Sequence, residues 1–282
     1  MHKKRKKISI FFFSLLLLIL IFCGTLFYSF YIEPFRLTLD TLCLQSSLSE
    51  EIRIVQVSDI QISDNYTTEH FEKVVQAVNR QNPDIILFTG DLYENYALYH
   101  DNEGLISLLS EMDARYGKFA IWGNRDYGGG AIREYETILS QGGFQLLTNA
   151  SVSIPVNDTD RIFLAGLDDT LLGEPDMAPI LEHMPSDDNT YTILMTHEPD
   201  PAEQYAELGF DLIVSGHSHG GQVNIPFFPT MTTTLGEKYI NGLYQLSDQT
   251  QLYVNTGIGT SRIPVRFRVP PEISLLVLEP NF

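Results

Sequence analysis

Short apolar runs that each end in a side chain able to bind a metal ion recur five times in this sequence, and they constrain its fold most. Each run has the length and composition of a buried strand, and amphipathic stripes at helical spacing, such as Phe71, Val74 and Val78, lie between the first runs. This alternation predicts an α/β fold. In open α/β sheets ligands bind at the carboxyl ends of strands. The residues at these predicted strand ends are Asp59 and Gln61, Asp91, Asn124, His197, and His217 with His219.

Other segments complete the predicted fold. Polar and apolar residues alternate over 36–44, which predicts a half-buried edge strand. The three glycines at 128–130 predict a hinge that opens a helix over 131–140, and another helix is predicted near 202–208. Strands near the C-terminus are predicted to form hairpins, over 239–246, 252–255 and 273–278.

The N-terminal region has the pattern of a membrane anchor. Residues 8–32 carry no charged side chain, and at ~1.5 Å rise per residue this run is long enough to cross a bilayer. Five basic residues, Lys3 to Lys7, precede it, so the positive-inside rule predicts a cytoplasmic N-terminus (1–7), a single-pass transmembrane anchor (8–32) and an extracytoplasmic domain (33–282) in the cell membrane. A buried core helix and a cleaved signal peptide are the alternatives. The run is long for a signal peptide and no Ala-x-Ala-like site follows it.

The composition of the chain narrows the classes of partner and function that it could have. The chain has 18 basic and 36 acidic residues, and five of the basic ones lie in the N-terminal cluster, so the predicted domain is strongly acidic. Such a domain argues against nucleic acid as a partner. Cys23 and Cys43 provide neither a disulfide framework nor a cysteine zinc site. No phosphate-binding Gly-x-x-x-x-Gly-Lys loop is present, which argues against a nucleotide switch or a kinase of that type.

The residue types at the strand ends suit a pair of divalent cations. Two adjacent cations need a carboxylate with two oxygens to bridge them, together with neutral nitrogen and amide oxygen ligands. Asp91 is the candidate bridge. Asp59, Gln61 and His219 would complete one metal site, and the other site would use Asn124, His197 and His217. A hydroxide held between the cations is a competent nucleophile at neutral pH, so the predicted reaction is in-line attack on phosphorus.

In order along the chain, Asp-x-Gln at 59–61, Gly-Asp at 90–91, Gly-Asn-Arg-Asp at 123–126, the lone His197 and Gly-His-Ser-His at 216–219 resemble the motifs of the calcineurin-like metallophosphoesterase superfamily. The tail from Gly257 to Ile273 is similar to the membrane-anchored bacterial branch of that superfamily. The resemblance covers about residues 34–280. It implies a four-layer β-sandwich flanked by helices and a dinuclear site, for which Mn is favoured and Fe and Zn are alternatives.

Two positions depart from the superfamily's common pattern. Gln61 stands where a His is usual, which implies a weaker first metal site and a preference for Mn over Zn. Arg125 stands where a His usually protonates the leaving group. Arginine remains charged at neutral pH and can hold a phosphate oxygen through two hydrogen bonds, but it cannot act as the acid. UDP-diacylglucosamine pyrophosphohydrolases of the lipid A pathway also have Gly-Asn-Arg-Asp, and this change suits a substrate with a good leaving group.

The leading hypothesis is therefore a membrane-tethered phosphohydrolase that cleaves a phosphodiester or pyrophosphate bond with a metal-bridging hydroxide. Asn124, Arg125 and Asp126 are its predicted catalytic residues. The membrane anchor suits a lipid-linked or envelope substrate, because tethering raises the effective concentration at the bilayer surface. The alternative is a non-catalytic metal-binding module of envelope assembly, in which Gln61 and Arg125 have abolished turnover. The oligomeric state is left open.

Overall fold

The computed structural model describes the backbone of residues 2–280 and the side chains of residues 11–280. The α-helices are α1 His2–Tyr31, α2 Thr68–Asn79, α3 Asn102–Glu111, α4 Asn124–Gly128, α5 Tyr135–Gln141 and α6 Ala178–Leu181. The strands are β1 Thr38–Ser46, β2 Ile52–Val57, β3 Ile85–Phe88, β4 Gly117–Ala120, β5 Phe144–Leu146, β6 Ala150–Pro155, β7 Arg161–Gly166, β8 Thr190–Met195, β9 Leu212–Ser215, β10 Gly242–Gln245, β11 Gln251–Val254 and β12 Glu272–Pro280. Short 3₁₀ segments cover Glu33–Phe35, Asp200–Tyr205 and His219–Gly221.

The strands form two six-stranded mixed sheets. The first has the order β1-β12-β2-β3-β4-β5, and the second has the order β10-β11-β9-β8-β7-β6. Strands β2, β3, β4 and β5 are parallel to one another, as are β7, β8, β9 and β11. The carboxyl ends of the central parallel strands therefore meet at one edge of each sheet, and the polar residues that follow those strands can converge there.

The hydrophobic core has three separate layers. The cluster between the two sheets includes Ile54, Leu87 and Val214, which are fully buried. A second cluster packs α2, α3 and α5 on the outer face of the first sheet, and a third includes Ile180 of α6 and covers the outer face of the second sheet. Helix, sheet, sheet and helix are thus stacked in that order. The predicted α/β fold with two sheets flanked by helices is confirmed.

Several local predictions need correction. The predicted helix over 131–140 begins only at Tyr135, and a short helix that was not predicted, α4, starts at Asn124 itself. The segment near 202–208 contains a 3₁₀ turn over Asp200–Tyr205 instead of an α-helix. Strands β10 and β11 form the expected hairpin. Strand β12, however, lies in the other sheet, between β1 and β2, because its apolar face completes the inter-sheet core there.

Within residues 2–280, one helix is long and apolar enough to cross a membrane. An 18-residue window of its apolar stretch, Phe11–Phe35, has a mean hydropathy of 2.5, and no residue of that window is buried. This agrees with the predicted position of a single-pass anchor. The end of the helix contacts the domain, because the Arg266 backbone amide donates to the Ser29 carbonyl at 3.0 Å and the Val269 amide donates to Glu33 Oε1 at 2.8 Å.

Candidate metal centre

The seven predicted ligand residues converge where the two sheets meet. Asp59 and Gln61 follow β2, Asp91 follows β3, Asn124 follows β4, His197 follows β8, and His217 and His219 follow β9. Five of them adopt a left-handed backbone, with φ of 49° at Asp59, 47° at Gln61, 62° at Asp91, 67° at His217 and 51° at His219. Such conformations are costly for residues other than glycine and concentrate at functional sites. The left-handed residues follow three of the five strands, β2, β3 and β9, and there the bent backbone turns the side chains to a common centre.

One group of ligand atoms surrounds His219. Its Nε2 lies 3.4 Å from Asp59 Oδ1 and 3.1 Å from the Gln61 amide nitrogen, which is in turn 3.2 Å from Asp91 Oδ2. The oxygen and nitrogen of a glutamine amide are assigned from the hydrogen-bond network. Rotating the Gln61 amide by half a turn would therefore place its oxygen, Oε1, among these ligand atoms. In the described part of the chain, Asp59 Oδ1 and Gln61 Oε1 are buried without a hydrogen-bond partner.

A second group surrounds His197 Nε2. This nitrogen lies 3.3 Å from Asn124 Oδ1, 3.3 Å from His217 Nδ1 and 3.4 Å from Asp91 Oδ1. His217 Nδ1 is also 3.0 Å from Asn124 Oδ1. The two carboxylate oxygens of Asp91 therefore face different groups. This is the arrangement expected of a ligand that joins two cations.

The outer nitrogens of two imidazoles are held by backbone carbonyls. His197 Nδ1 donates to the Thr89 carbonyl at 2.6 Å, and His217 Nε2 donates to the Thr234 carbonyl at 2.8 Å. These bonds leave His197 Nε2 and His217 Nδ1 as the acceptor nitrogens that point to the centre. A hydrogen bond to the outer nitrogen of a metal-binding histidine fixes both its tautomer and its ring orientation.

The carboxylate of Asp126 points away from the cleft, although Asp126 is one of the predicted catalytic residues. It is fully buried, and its carboxylate accepts hydrogen bonds from the backbone amides of Asp91, Leu92 and Gly123, each at 2.9 Å. All its bonds go to backbone, so it does not face the cleft or orient the Arg125 side chain. This geometry gives Asp126 a positioning role, in which it joins the loop after β3 to the loop after β4, and its catalytic role stays a prediction.

Comparison with known proteins agrees with this geometry. The family model described as calcineurin-like phosphoesterase matches residues 52–221, which span every one of the seven ligand candidates. The chain belongs to this family. A relative from Bacillus subtilis (strain 168), "Uncharacterized metallophosphoesterase YkuE", is 37% identical over 257 residues, which cover 89% of each chain.

Two more distant relatives carry informative names. "Transmembrane protein with metallophosphoesterase domain" of Danio rerio is 30% identical, over 81% of this chain and 53% of its own length. "UDP-2,3-diacylglucosamine pyrophosphatase LpxG" of Chlamydia trachomatis is 27% identical, over 80% of this chain and 83% of its own length. By family, this protein is a metal-dependent phosphoesterase.

Electrostatics in the phosphoesterase centre favour cation binding. Burial would raise the pKa of Asp91, but His197, the Arg125 backbone amide and His217 together outweigh burial and lower the pKa of Asp91 to about 2. Burial opposes a charge on His197, yet Asp91 overcomes it and raises the pKa of His197. Burial lowers the pKa of His219 to about 4, and burial together with His197 lowers the pKa of His217. Asp91 is thus a negative carboxylate beside the neutral imidazoles of His217 and His219, the forms in which these groups bind metal. His197 instead carries a proton, which a cation at its Nε2 would displace.

Glu198 is a residue that the sequence analysis did not single out. Together with His197 and His217 it offers ligand atoms that all lie within 4.8 Å of one another. One of its carboxylate oxygens accepts the Thr170 backbone amide at 3.0 Å, and the other is buried without a partner within the described residues. Its position directly after His197, before a proline, was the available signal.

A cleft of about 310 Å³ opens onto the phosphoesterase centre. Asp91, Asn124 and Arg125 lie on one side of it, and residues 231–234 and 261–262 line the rest of its mouth. The Arg125 guanidinium donates to Ser261 Oγ at 2.7 Å and lies 3.5 Å from Glu94 Oε1. Arg125 is therefore held at the edge of the cleft, pointing along a surface that a phosphate group could occupy.

Arg266 stabilises the loop beside the cleft by hydrogen bonds to its carbonyls. An arginine is usually exposed at the surface, but Arg266 is fully buried. Its guanidinium donates to the carbonyls of Gly259, Thr256 and Gly257 at 2.6 to 3.0 Å. It therefore fixes the loop that carries Ser261.

Proposed function

We propose that this chain is a membrane-tethered phosphohydrolase that holds two divalent cations and cleaves a phosphodiester or pyrophosphate bond. The observation that carries the proposal is the position of Asp91, whose two oxygens face two separate groups of ligand atoms. Asp59, Gln61 and His219 would hold one cation, and Asn124, His197 and His217 the other. The buried Oδ1 of Asp59 lies 3.4 Å from His219 Nε2 and has no hydrogen-bond partner in the described chain. This supports cation binding, because burying such an atom without a partner costs free energy that a bound cation would offset.

Manganese is the cation that the ligand set favours, with Fe and Zn as alternatives. An amide oxygen at Gln61 is a harder ligand than an imidazole nitrogen, and harder oxygen ligands suit Mn²⁺ better than Zn²⁺. When bound, the cations would lower the pKa of a bound water and stabilise negative charge on the phosphoryl oxygens.

The chain's own side chains would orient the substrate. Arg125 would hold a non-bridging phosphoryl oxygen, since its guanidinium is already positioned at the cleft by Ser261 and Glu94. Asn124 would fix the reacting phosphorus beside the centre. His217 cannot donate its Nε2 proton to a leaving group without losing its bond to the Thr234 carbonyl. The substrate would therefore be one whose leaving group needs little protonation, such as the phosphate of a pyrophosphate.

A lipid-linked pyrophosphate is the proposed substrate class. Helix α1 has the length and hydropathy of a membrane anchor, and the Chlamydia relative is named for a lipid pyrophosphate. The basic residues that precede the apolar run support a cytoplasmic N-terminus and an extracytoplasmic phosphoesterase domain.

The catalytic part of the proposal is tested with the full chain in detergent. Protein stripped by a chelator is assayed on bis-p-nitrophenyl phosphate and on a nucleoside-diphosphate lipid, with and without Mn²⁺. Activity should return with Mn²⁺ in the wild type and in Asp188→Asn, a control on an exposed loop, but not in Asp91→Asn. Equal activity of Asp91→Asn and the wild type would contradict the proposal.

The topology is tested separately with the exposed thiol of Cys43. A membrane-impermeant maleimide should label Cys43 in intact cells and should not label Cys43→Ser. Labelling that appears only after the cells are lysed would place the domain in the cytoplasm.

A further inference from the structure

Next to the cleft, a group of apolar side chains faces solvent. Phe227 is fully exposed, and Phe228 and Met231 are 69% and 61% exposed. Ile225 and Ile263 are also exposed. We call these five residues the apolar rim. Large apolar side chains gathered at one place on a surface mark an interaction site more often than isolated ones do.

The chain presents the rim through a strained turn. Phe228 N donates to the Ile225 carbonyl at 3.1 Å, which closes a turn with Pro226 and Phe227 at its two central positions. Phe227 has a φ of 70°, a conformation that favours glycine or asparagine at the third position of a turn. Pro226 and Pro229 flank the aromatic pair and restrict the backbone on both sides. An aromatic residue is thus held outward at a position where a smaller residue would fit the backbone better.

The rim is connected directly to the end of the membrane anchor. Val223 pairs with Phe267, and Asn224 N donates to the Phe267 carbonyl at 2.9 Å. The residue before Phe267, Arg266, donates its backbone amide to the Ser29 carbonyl near the end of α1. Phe30 and Phe35 line a cavity of about 290 Å³ that is also lined by Thr260 and Pro264, in the loop that carries Ile263. The rim therefore lies on the side of the domain from which the anchor emerges.

Charge on the same segments differs from that of the rest of the domain. Although the chain has 36 acidic residues, none lies in 212–236 or in 249–271, the two stretches that contain the rim. The second stretch contains Arg262 and Arg268, both exposed. Glu94, whose Oε1 accepts the Arg262 backbone amide at 2.8 Å, is an acidic neighbour from another segment. An apolar surface whose own two stretches carry basic and no acidic side chains suits the interface of a bilayer with anionic headgroups, where the acidic remainder of the domain would be repelled.

From these observations we infer that the apolar rim inserts into the bilayer that holds the anchor and sets the mouth of the cleft at the membrane surface. The rim and the cleft share Met231, and Arg262 lines the cleft one residue before Ile263. The phosphate of a lipid whose chains remain in the bilayer would then lie beside the mouth. The inference rests on the membrane anchoring proposed above and is independent of the chemistry at the metal centre.

The test compares three positions of a fluorophore in the full chain, reconstituted in vesicles of phosphatidylglycerol and phosphatidylethanolamine. A nitrobenzoxadiazole label is placed at the native Cys23 in α1 (with Cys43→Ser), at Phe227→Cys, or at Leu181→Cys, the last two in a background of Cys23→Ser and Cys43→Ser. Leu181 is the matched control, an exposed apolar residue of α6, which packs near β6 at the far edge of the second sheet. Quenching is measured with lipids brominated on their acyl chains.

The inference predicts that a label at position 23 or 227 loses fluorescence in vesicles with brominated lipids and has an emission maximum shifted to the blue. A label at position 181 should show neither effect. Quenching at 23 with none at 227 would overturn the membrane-docking rim while leaving the anchor intact. No quenching at 23 would overturn the anchoring and the inference with it. Quenching at 227 that equals quenching at 181 would show general contact with lipid and would also overturn the inference. Hydrolysis of bis-p-nitrophenyl phosphate by each labelled protein checks separately that the catalytic centre is intact.

Discussion

Gly123 lies against the carboxylate of Asp91, so Gly123→Ala tests whether the placement of that carboxylate sets the rate. The backbone at Gly123 is extended, with a φ of -119°, and alanine can adopt it. A Cβ added there would lie 2.5 Å from the Asp91 backbone nitrogen and 2.9 Å from His197 Cε1, and it would also meet Asp91 Oδ1. The substitution therefore adds one methyl group between the loop after β4, which contains Gly123, and the side chains of Asp91 and His197.

The size of the effect follows from these distances. Ordinary van der Waals contact begins at 3.4 Å, so the backbone of residue 123 or 91 would have to move by roughly 0.9 Å. A misplacement of about 1 Å in a catalytic site costs about 100-fold in rate. That loss corresponds to about 2.7 kcal/mol of transition-state stabilisation.

The assay is the initial rate on bis-p-nitrophenyl phosphate at saturating Mn²⁺, with the melting temperature measured in parallel. Gly128→Ala is the matched control, because its Cβ would meet only the end of the flexible Leu172 side chain at 3.0 Å. We expect the kcat of Gly123→Ala to fall about 100-fold and the kcat of Gly128→Ala to stay near that of the wild type. A wild-type rate for Gly123→Ala with both cations bound would refute the reasoning.

Three further predictions address the departures from the family pattern and the pH dependence of stability. Gln61→His should strengthen binding of Zn²⁺ relative to Mn²⁺ in a calorimetric titration, because an imidazole nitrogen replaces an amide oxygen, and unchanged affinities would contradict this. Arg125→His should speed hydrolysis of alkyl more than aryl phosphodiesters by supplying an acid, whereas equal wild-type rates on both classes would show that no acid is missing. Hydrogen bonds from Ser49 lower the pKa of Asp160, so its carboxylate stabilises the fold above the unfolded-state pKa of about 3.9 and this stabilisation is lost as the pH falls. Asp160→Asn should therefore lower the melting temperature most at neutral pH, and a difference that stays constant down to strongly acid pH would contradict the role of Asp160.

The sequence indicates the site well because each ligand candidate directly follows a strand. Once β2, β3 and β4 are recognised as parallel strands of one sheet and β8 and β9 as parallel strands of another, the carboxyl ends within each sheet must lie together. Predicting that the two sheets meet at one site also depended on the sequence motifs, because local periodicity does not indicate which sheet a strand belongs to.

Features that depend on distant contacts could not be predicted from local pattern. Strand β12 alternates as any strand does, but its partners are β1, more than 200 residues earlier, and β2, and the inter-sheet core decides this pairing. In the sequence Arg266 is one of three arginines over 262–268, and only the folded structure shows that the carbonyls of Gly257 and Gly259 accept hydrogen bonds from its guanidinium. Asp126 stands beside Arg125 in sequence, yet its carboxylate turns inward to the amides of another loop.

The central claim is that Asp91 joins two cations, and metal content tests it most directly. Full-length protein is stripped, reloaded with Mn²⁺, desalted and measured by inductively coupled plasma mass spectrometry. The account predicts two equivalents per chain in the wild type, one after His219→Ala, which lies in only one of the two ligand groups, and fewer than one after Asp91→Ala. A single equivalent in the wild type, or a content that neither substitution changes, would contradict it.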